Sequence, residues 1–260
     1  MDLKLEGKVV VVTGGSSGIG LATVDALTRE GARVVTCSRD VDKLDAAITG
    51  LEHADQVTTT RCNVREGAEV KALAQLVAEK FGVLDGVVNN AGGSRMSPLE
   101  KMTTEDWHDE LDLKFAPVLN AAHHLVPLMA DAEAPSMVNL NAVLAKQPEP
   151  KLVATSAARA GLLNLSKSLA TRLADDGIRV NSVCLGLVDT GQWQRRYEAD
   201  GSGATFEEYS AEIAADRGIA LGRFGRADEV SPLITFLLSP VSSYITGTSI
   251  DVAGGVNRYV

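Results

Sequence analysis

What the sequence lacks excludes several classes of protein. No apolar run approaches the roughly 18 residues that a membrane span requires. The amino terminus, MDLKLEGKVVVV, enters a strand-like run without the charged, apolar and small-residue stages of a secretory leader. No run of Lys or Arg exceeds two residues, and 25 basic residues stand against 34 acidic ones, a formal charge of −9. Nucleic acid and anionic membrane surfaces are therefore poor partners. Cysteine is scarce: Cys37, Cys62 and Cys184 each sit beside strand-like apolar residues, with no CxxC and no nearby His pair. That odd, scattered set reads as buried thiols in a reducing compartment, not as a disulfide frame or a metal site. Internal repeats, low-complexity tracts and Pro/Gly/Ser-rich linkers are missing too. With 45% hydrophobic and 23% charged residues, 24 Gly and 8 Pro in 260, disordered and collagen-like classes are also out. A soluble, cytoplasmic, metal-free single domain over residues 1–260 is the expectation.

What is present is an alternation. Short β-branched runs at Lys8–Thr13, Arg33–Ser38, Gln56–Cys62, Leu84–Asn89, Ser136–Leu140, Arg179–Cys184 and Thr248–Val252 read as strands. Between them lie helical patterns such as Leu21–Glu30, Glu66–Phe81, Thr104–Ala130, Leu152–Asp175 and Ala227–Leu238. Near-continuous apolar strands alternating with amphipathic helices predict an α/β, Rossmann-type, doubly wound parallel sheet with helices on both faces. The stretch Thr190–Gly225, with its polar Ala199–Thr205 tract, reads as irregular and as a substrate loop.

The first strand ends in Thr13-Gly14-Gly15-Ser16-Ser17-Gly18-Ile19-Gly20, and an amphipathic helix follows. Glycines at the first βα turn let the backbone approach a pyrophosphate, and the helix N-terminus offers free N–H groups and a positive dipole end. The spacing is not GxGxxG, and an isolated motif of this kind reads equally as a tight turn; its place in an alternating chain makes it a dinucleotide site. The second strand ends at Ser38-Arg39, and a guanidinium there suits a 2′-phosphate, so NADP(H) is preferred while NAD(H) stays possible. Asp40 and Arg39 also read as a helix N-cap and a solvated charge.

At these residues the sequence resembles the short-chain dehydrogenase/reductase family over essentially its full length. TGGSSGIG at 13–20 is similar to that family's cofactor motif, and Asn89-Asn90-Ala91-Gly92 to its NNAG motif. The segment from Val180 to Gly186 resembles VNxxxPG with Leu185 at the usual proline, and RFGRADEV at 223–230 and SSYITGTSIDVAGG at 242–255 resemble the C-terminal pattern. The resemblance implies phosphate contacts from Gly14, Ser16, Ser17, Gly18 and Ile19, and an adenine held by Asn63 and Val64, with Asn63 at a usual Asp. It implies ribose and nicotinamide contacts from Asn90, Ala91, Gly92, Arg159, Gly186, Val188 and Thr190. It also implies a homo-oligomer, a tetramer or a dimer, with the Ala-rich helix Leu152–Ala174 as a surface.

The family's catalytic Tyr, Lys, Ser and Asn fall on Thr155, Arg159, Ala142 and Lys114, so every one of these positions departs. A threonine hydroxyl is too weak an acid to be poised near neutral pH, an alanine donates nothing, and a guanidinium is a poor proton relay. Two readings follow. In one the protein is an NADP(H)-dependent oxidoreductase of small carbonyl, alcohol or enone substrates with a rebuilt site, its acid Lys114, whose ammonium beside an arginine is depressed in pKa. Tyr197 is a second candidate, bringing a phenol from the 190–225 loop. In the other reading the protein binds NADP(H) without turnover, as a sensor or partner subunit. Halohydrin dehalogenases also place an arginine four residues after a tyrosine, but the retained phosphate loop argues against them. His123 and His124, adjacent on a helix, read as structural, and Gln147–Pro150 as pocket-shaping.

Overall fold

A computed structural model describes residues 1–93, 99–201 and 203–259. Seven strands form one parallel sheet: β1 (Val9–Thr13), β2 (Arg33–Ser38), β3 (Val57–Arg61), β4 (Gly86–Asn89), β5 (Ser136–Ala142), β6 (Arg179–Leu185) and β7 (Ser249–Val252). Their spatial order is β3-β2-β1-β4-β5-β6-β7. The helices are α1 (Gly18–Arg29), α2 (Val41–Thr49), α3 (Gly67–Phe81), α4 (Thr104–His124), α5 (Val153–Arg172), α6 (Gly191–Asp200), α7 (Phe206–Arg217) and α8 (Ala227–Leu238).

Period-two alternation divides the core between the two faces of the sheet. Val10 and Val12 of β1 join Val24 and Leu27 of α1, Leu44 of α2 and Ile234 of α8 in one cluster. Val9 and Val11 join Val77 of α3, Ala121 of α4 and Ala170 of α5 in the other. Fully covered faces explain why β1 reads VVVVT rather than alternating with polar residues. A smaller cluster, with Val143, Cys184, Ala214 and Phe224, lies beyond the end of β6.

Two helical boundaries differ most from the sequence reading. The pattern over Thr104–Ala130 is α4 ending at His124, followed by a separate turn over Val126–Met129 with Pro127 in its first turn, where a missing N–H costs nothing. The stretch Thr190–Gly225 is not irregular; it contains α6 and α7, and residue 202 of its polar tract lies outside the described residues. A reciprocal cap starts α7: Glu208 N–H donates to Thr205 Oγ1 at 3.2 Å and Thr205 N–H to Glu208 Oε2 at 2.8 Å. Asp40 is the N-cap of α2, its carboxylate accepting from Lys43 N–H at 3.0 Å. All three cysteines are free and buried. Among the described residues no helix is long and apolar enough to cross a membrane.

Candidate active site

Strand order reverses direction between β1 and β4, and the crevice beyond their carboxyl ends is where open parallel sheets take ligands. The loop from β1 to α1 enters it on a backbone that only glycine tolerates. Gly14 has φ +75°, and a Cβ on Gly20 would sit 2.2 Å from the Gly14 carbonyl oxygen. Thr13 Oγ1 accepts from both Asn90 N–H and Ala91 N–H at 3.0 Å, and Asn90 Nδ2 donates to the Thr13 carbonyl at 2.8 Å. The loop is thereby tied to the end of β4. Ser17, at the N-cap of α1, makes no side-chain cap, which leaves the helix N-terminus free for an anion.

A groove of about 850 Å³ runs from this loop, where Gly14, Ser16, Ser17, Gly18 and Ile19 line it, past Ser38 and Arg39 to Asn63 and Val64. Asn90, Ala91 and Gly92 form its inner wall, with Thr190 opposite. Arg39 is exposed at its rim. Cys37 and Cys62 also line it, and a hydrogen bond between their thiols raises Cys37 and lowers Cys62 from the ordinary thiol value. Glycines where a Cβ would collide, an uncapped helix end and a guanidinium at the distal rim fit a dinucleotide carrying phosphates at both places.

The groove opens into a second cavity of about 260 Å³ under α5 and α6. Lys114, Ala142, Thr155, Arg159, Gly186 and Val188 line it, so positions scattered over three elements and one loop meet there. Thr155 and Arg159, four apart on α5, share the helix face that carries Ala154, Ala158 and Leu162 toward the sheet. Lys114 is 4% exposed and Thr155 1%. The Lys114 ammonium donates to the Gly93 carbonyl and to Glu110 Oε1, both at 2.7 Å, and Thr155 Oγ1 donates to the same carboxylate oxygen at 2.7 Å. Burial, then the neighbouring Arg159 charge, lower Lys114 to about 8 against the opposing pull of Glu110. Arg159 is itself lowered by burial, and its Nε finds no hydrogen-bond partner.

Glu110, 3% exposed, is the member of this buried cluster that the sequence reading missed. Its spacing of four from Lys114 signals an ion pair on any helix, but nothing local says that the pair turns inward. Trp193, Arg196 and Arg217, inside the expected 190–225 substrate loop but not singled out there, also line the cavity, as does Glu149 of the Gln147–Pro150 segment read as pocket-shaping. Tyr197 does not reach it: its hydroxyl donates to the Ala204 carbonyl at 2.7 Å and its ring packs on Phe206 and Tyr209. Tyr197 is a packing residue, which removes it as an acid. Among the described residues no His, Cys, Asp or Glu cluster could hold a metal.

Residues 14–257 match the family profile described as enoyl-(acyl carrier protein) reductase. A 3-oxoacyl-acyl-carrier-protein reductase of Thermotoga maritima is 34% identical over 255 residues, covering 98% of this chain and 99% of that protein. The NADPH-bound structure of a short-chain oxidoreductase from Pseudomonas aeruginosa PAO1, described as containing an atypical catalytic center, is 42% identical with a TM-score of 0.92, covering 97% of this chain and 98% of that one. L-sorbose reductase from Gluconobacter frateurii, solved with NADPH and L-sorbose, is 30% identical with a TM-score of 0.94, covering the whole of both chains at 100%.

Proposed function

The chain belongs to the short-chain dehydrogenase/reductase family of oxidoreductases, and from that premise we propose that it is a cytoplasmic NADP(H)-dependent enzyme reducing small carbonyl compounds, or oxidising the alcohols, with Lys114 as proton donor. The supporting observation is the Lys114 ammonium itself, buried in the cavity wall, hydrogen-bonded to Gly93, which borders both groove and cavity, and brought to about 8. An acid with a pKa near the working pH carries a proton and gives it up readily.

The phosphate loop and Arg39 bind the dinucleotide, with NADP(H) preferred and NAD(H) still accommodated. Asn63 and Val64 border the adenine end, and Arg159, Gly186, Val188 and Thr190 the nicotinamide end. When bound, the cofactor supplies a hydride to the carbonyl carbon. The carbonyl's π pair moves onto oxygen, and Lys114 gives that oxygen a proton, which solvent replaces. Glu110 holds the ammonium in place, and Thr155 anchors Glu110, so the threonine orients the carboxylate rather than donating to substrate. Ala142 leaves the wall without a donor, which places the whole demand for charge stabilisation on Lys114 and Arg159.

Calorimetric titration with NADPH and with NADH is the first test, followed by NADPH oxidation against a carbonyl panel. Lys114→Ala is expected to lower kcat/KM by about 10²–10⁴-fold with unchanged NADPH affinity. A protein that binds NADPH tightly, turns over no carbonyl and is indifferent to Lys114 is instead a sensor or partner subunit. The same reading makes the protein a homo-oligomer, supported by exposed Ala157 and Ala160 on α5 and by β7 at the sheet edge. Light scattering should return a dimer or tetramer mass; a monomer would remove that part.

A further inference from the structure

The cavity has a charge asymmetry that the proposed reaction leaves unused. At its inner end Lys114 and Arg159 face one carboxylate, Glu110. At its outer end stand Arg196, which also borders the groove, and Arg217, already ion-paired to the one carboxylate there, Glu149. The two ends differ in depth: Lys114 and Glu110 side chains are 3% and 4% exposed, Arg217 and Glu149 30% and 25%. Among the described residues no carboxylate pairs with Arg196. Its guanidinium instead stacks on the Trp193 ring, 4.5 Å from the centroid. Burial and the like charge of Arg217 lower it, so it is held, partly desolvated, near another cation. At the inner end the orphaned Arg159 Nε shows the same deficit of acceptors.

A stacked guanidinium without a counter-ion is a preorganised carboxylate receptor, because its planar fork matches two carboxylate oxygens and its rotamer is already fixed. Resting on the proposed oxidoreductase reading, we propose that the substrate is a carbonyl compound that also carries a carboxylate. The carboxylate sits at the outer end on Arg196, beside Arg217, and the carbonyl oxygen lies at Lys114 on the inner end. One anion then balances the outer cluster, and the apolar wall between the ends, with Leu144, Leu152 and Leu187, takes the connecting chain. A cavity of about 260 Å³ holds a short chain and not a bulky one.

The test uses 4-oxopentanoate, 5-oxohexanoate and 6-oxoheptanoate, each against its methyl ester, with the full-length protein free and saturated with NADPH. Both Kd by calorimetry and NADPH oxidation are measured. At least one acid is expected to bind and react ten times better than its ester, and Arg196→Gln to bring that ratio close to one, acid and ester being compared within the same variant. Equal treatment of acid and ester at every length overturns the proposal, as does a preference that survives Arg196→Gln. So does an Arg196→Gln variant whose only defect is weaker NADPH binding, which would assign the guanidinium to the cofactor. Failure of the oxidoreductase reading looks different: NADPH does not bind, or no carbonyl is reduced, while the carboxylate Kd values still decide this inference.

Discussion

A glutamate and a lysine four residues apart on a helix ordinarily form an exposed pair that contributes a few tenths of a kcal/mol. On α4 the same spacing ends in burial, and the energetics change sign with context. Removing one partner strands a charge, so Glu110→Gln should lower stability by about 3–5 kcal/mol, whereas Glu110→Gln combined with Lys114→Met should be close to neutral in urea unfolding. The pH dependence follows from the same residues. Lys114 is near 8 in the fold and at 10.5 when free, so between those values the unfolded chain binds more protons and this group's contribution to stability rises with pH. For catalysis, Glu110 raises Lys114. Its replacement by Gln should therefore shift the alkaline limb of the kcat/KM profile for carbonyl reduction to lower pH; an unmoved limb would remove Lys114 as the acid. At the far end of the groove, Arg39→Ala should weaken NADPH by about 10–100-fold, the range of a hydrogen bond to a charged group, and leave NADH unaffected in the same titration.

Elements with a continuous apolar signature were readable without coordinates, and those without one were not. Every strand of the sheet coincides with a predicted run, although β5 and β6 extend past theirs, to Ala142 and Leu185. α6 and α7 escaped because they are polar helices packed through a few aromatic contacts, such as Trp193 on Phe224 at 4.9 Å. The Thr205–Glu208 cap was the one local signal for α7, and it was not read. In the site, the glycine loop was legible because its chemistry is local to one turn, and Gln147–Pro150, which holds Glu149, was marked as pocket-shaping; Glu110, Arg196 and Arg217 acquire meaning only where α4, α6, α7 and the loop before α5 converge. The loop-to-helix junction yields a prediction at this scale. Gly20→Ala places a Cβ against the Gly14 carbonyl oxygen, an atom that cannot rotate away. It should cost about 1–3 kcal/mol in thermal unfolding and abolish NADPH binding together; retained binding would mean that the loop yields.

On the scale of the molecule, the sheet order fixes one crevice and places both cavities in it. A ligand that binds only the folded state stabilises the whole chain by mass action, about 2.7 kcal/mol at a hundred times its Kd. For a chain of this size NADPH at that excess should raise Tm by about 5–10 °C, a shift that differential scanning fluorimetry resolves and that Arg39→Ala should shrink. The groove and the cavity are not separate rooms. Ile19, Asn90, Ala91, Gly92, Gly93, Leu113, Pro117, Thr190 and Arg196 border both. Whatever lies along the inner groove therefore becomes one side of the neighbouring chamber, and that translates into kinetic order. On the proposed reading, a bound dinucleotide should strengthen binding on the chamber side, so turnover is expected to favour dinucleotide first and product release ahead of it. An adenosine fragment that reaches only Arg39 and Asn63 should compete with NADPH and be noncompetitive against the carbonyl compound, because it displaces the dinucleotide without completing that wall.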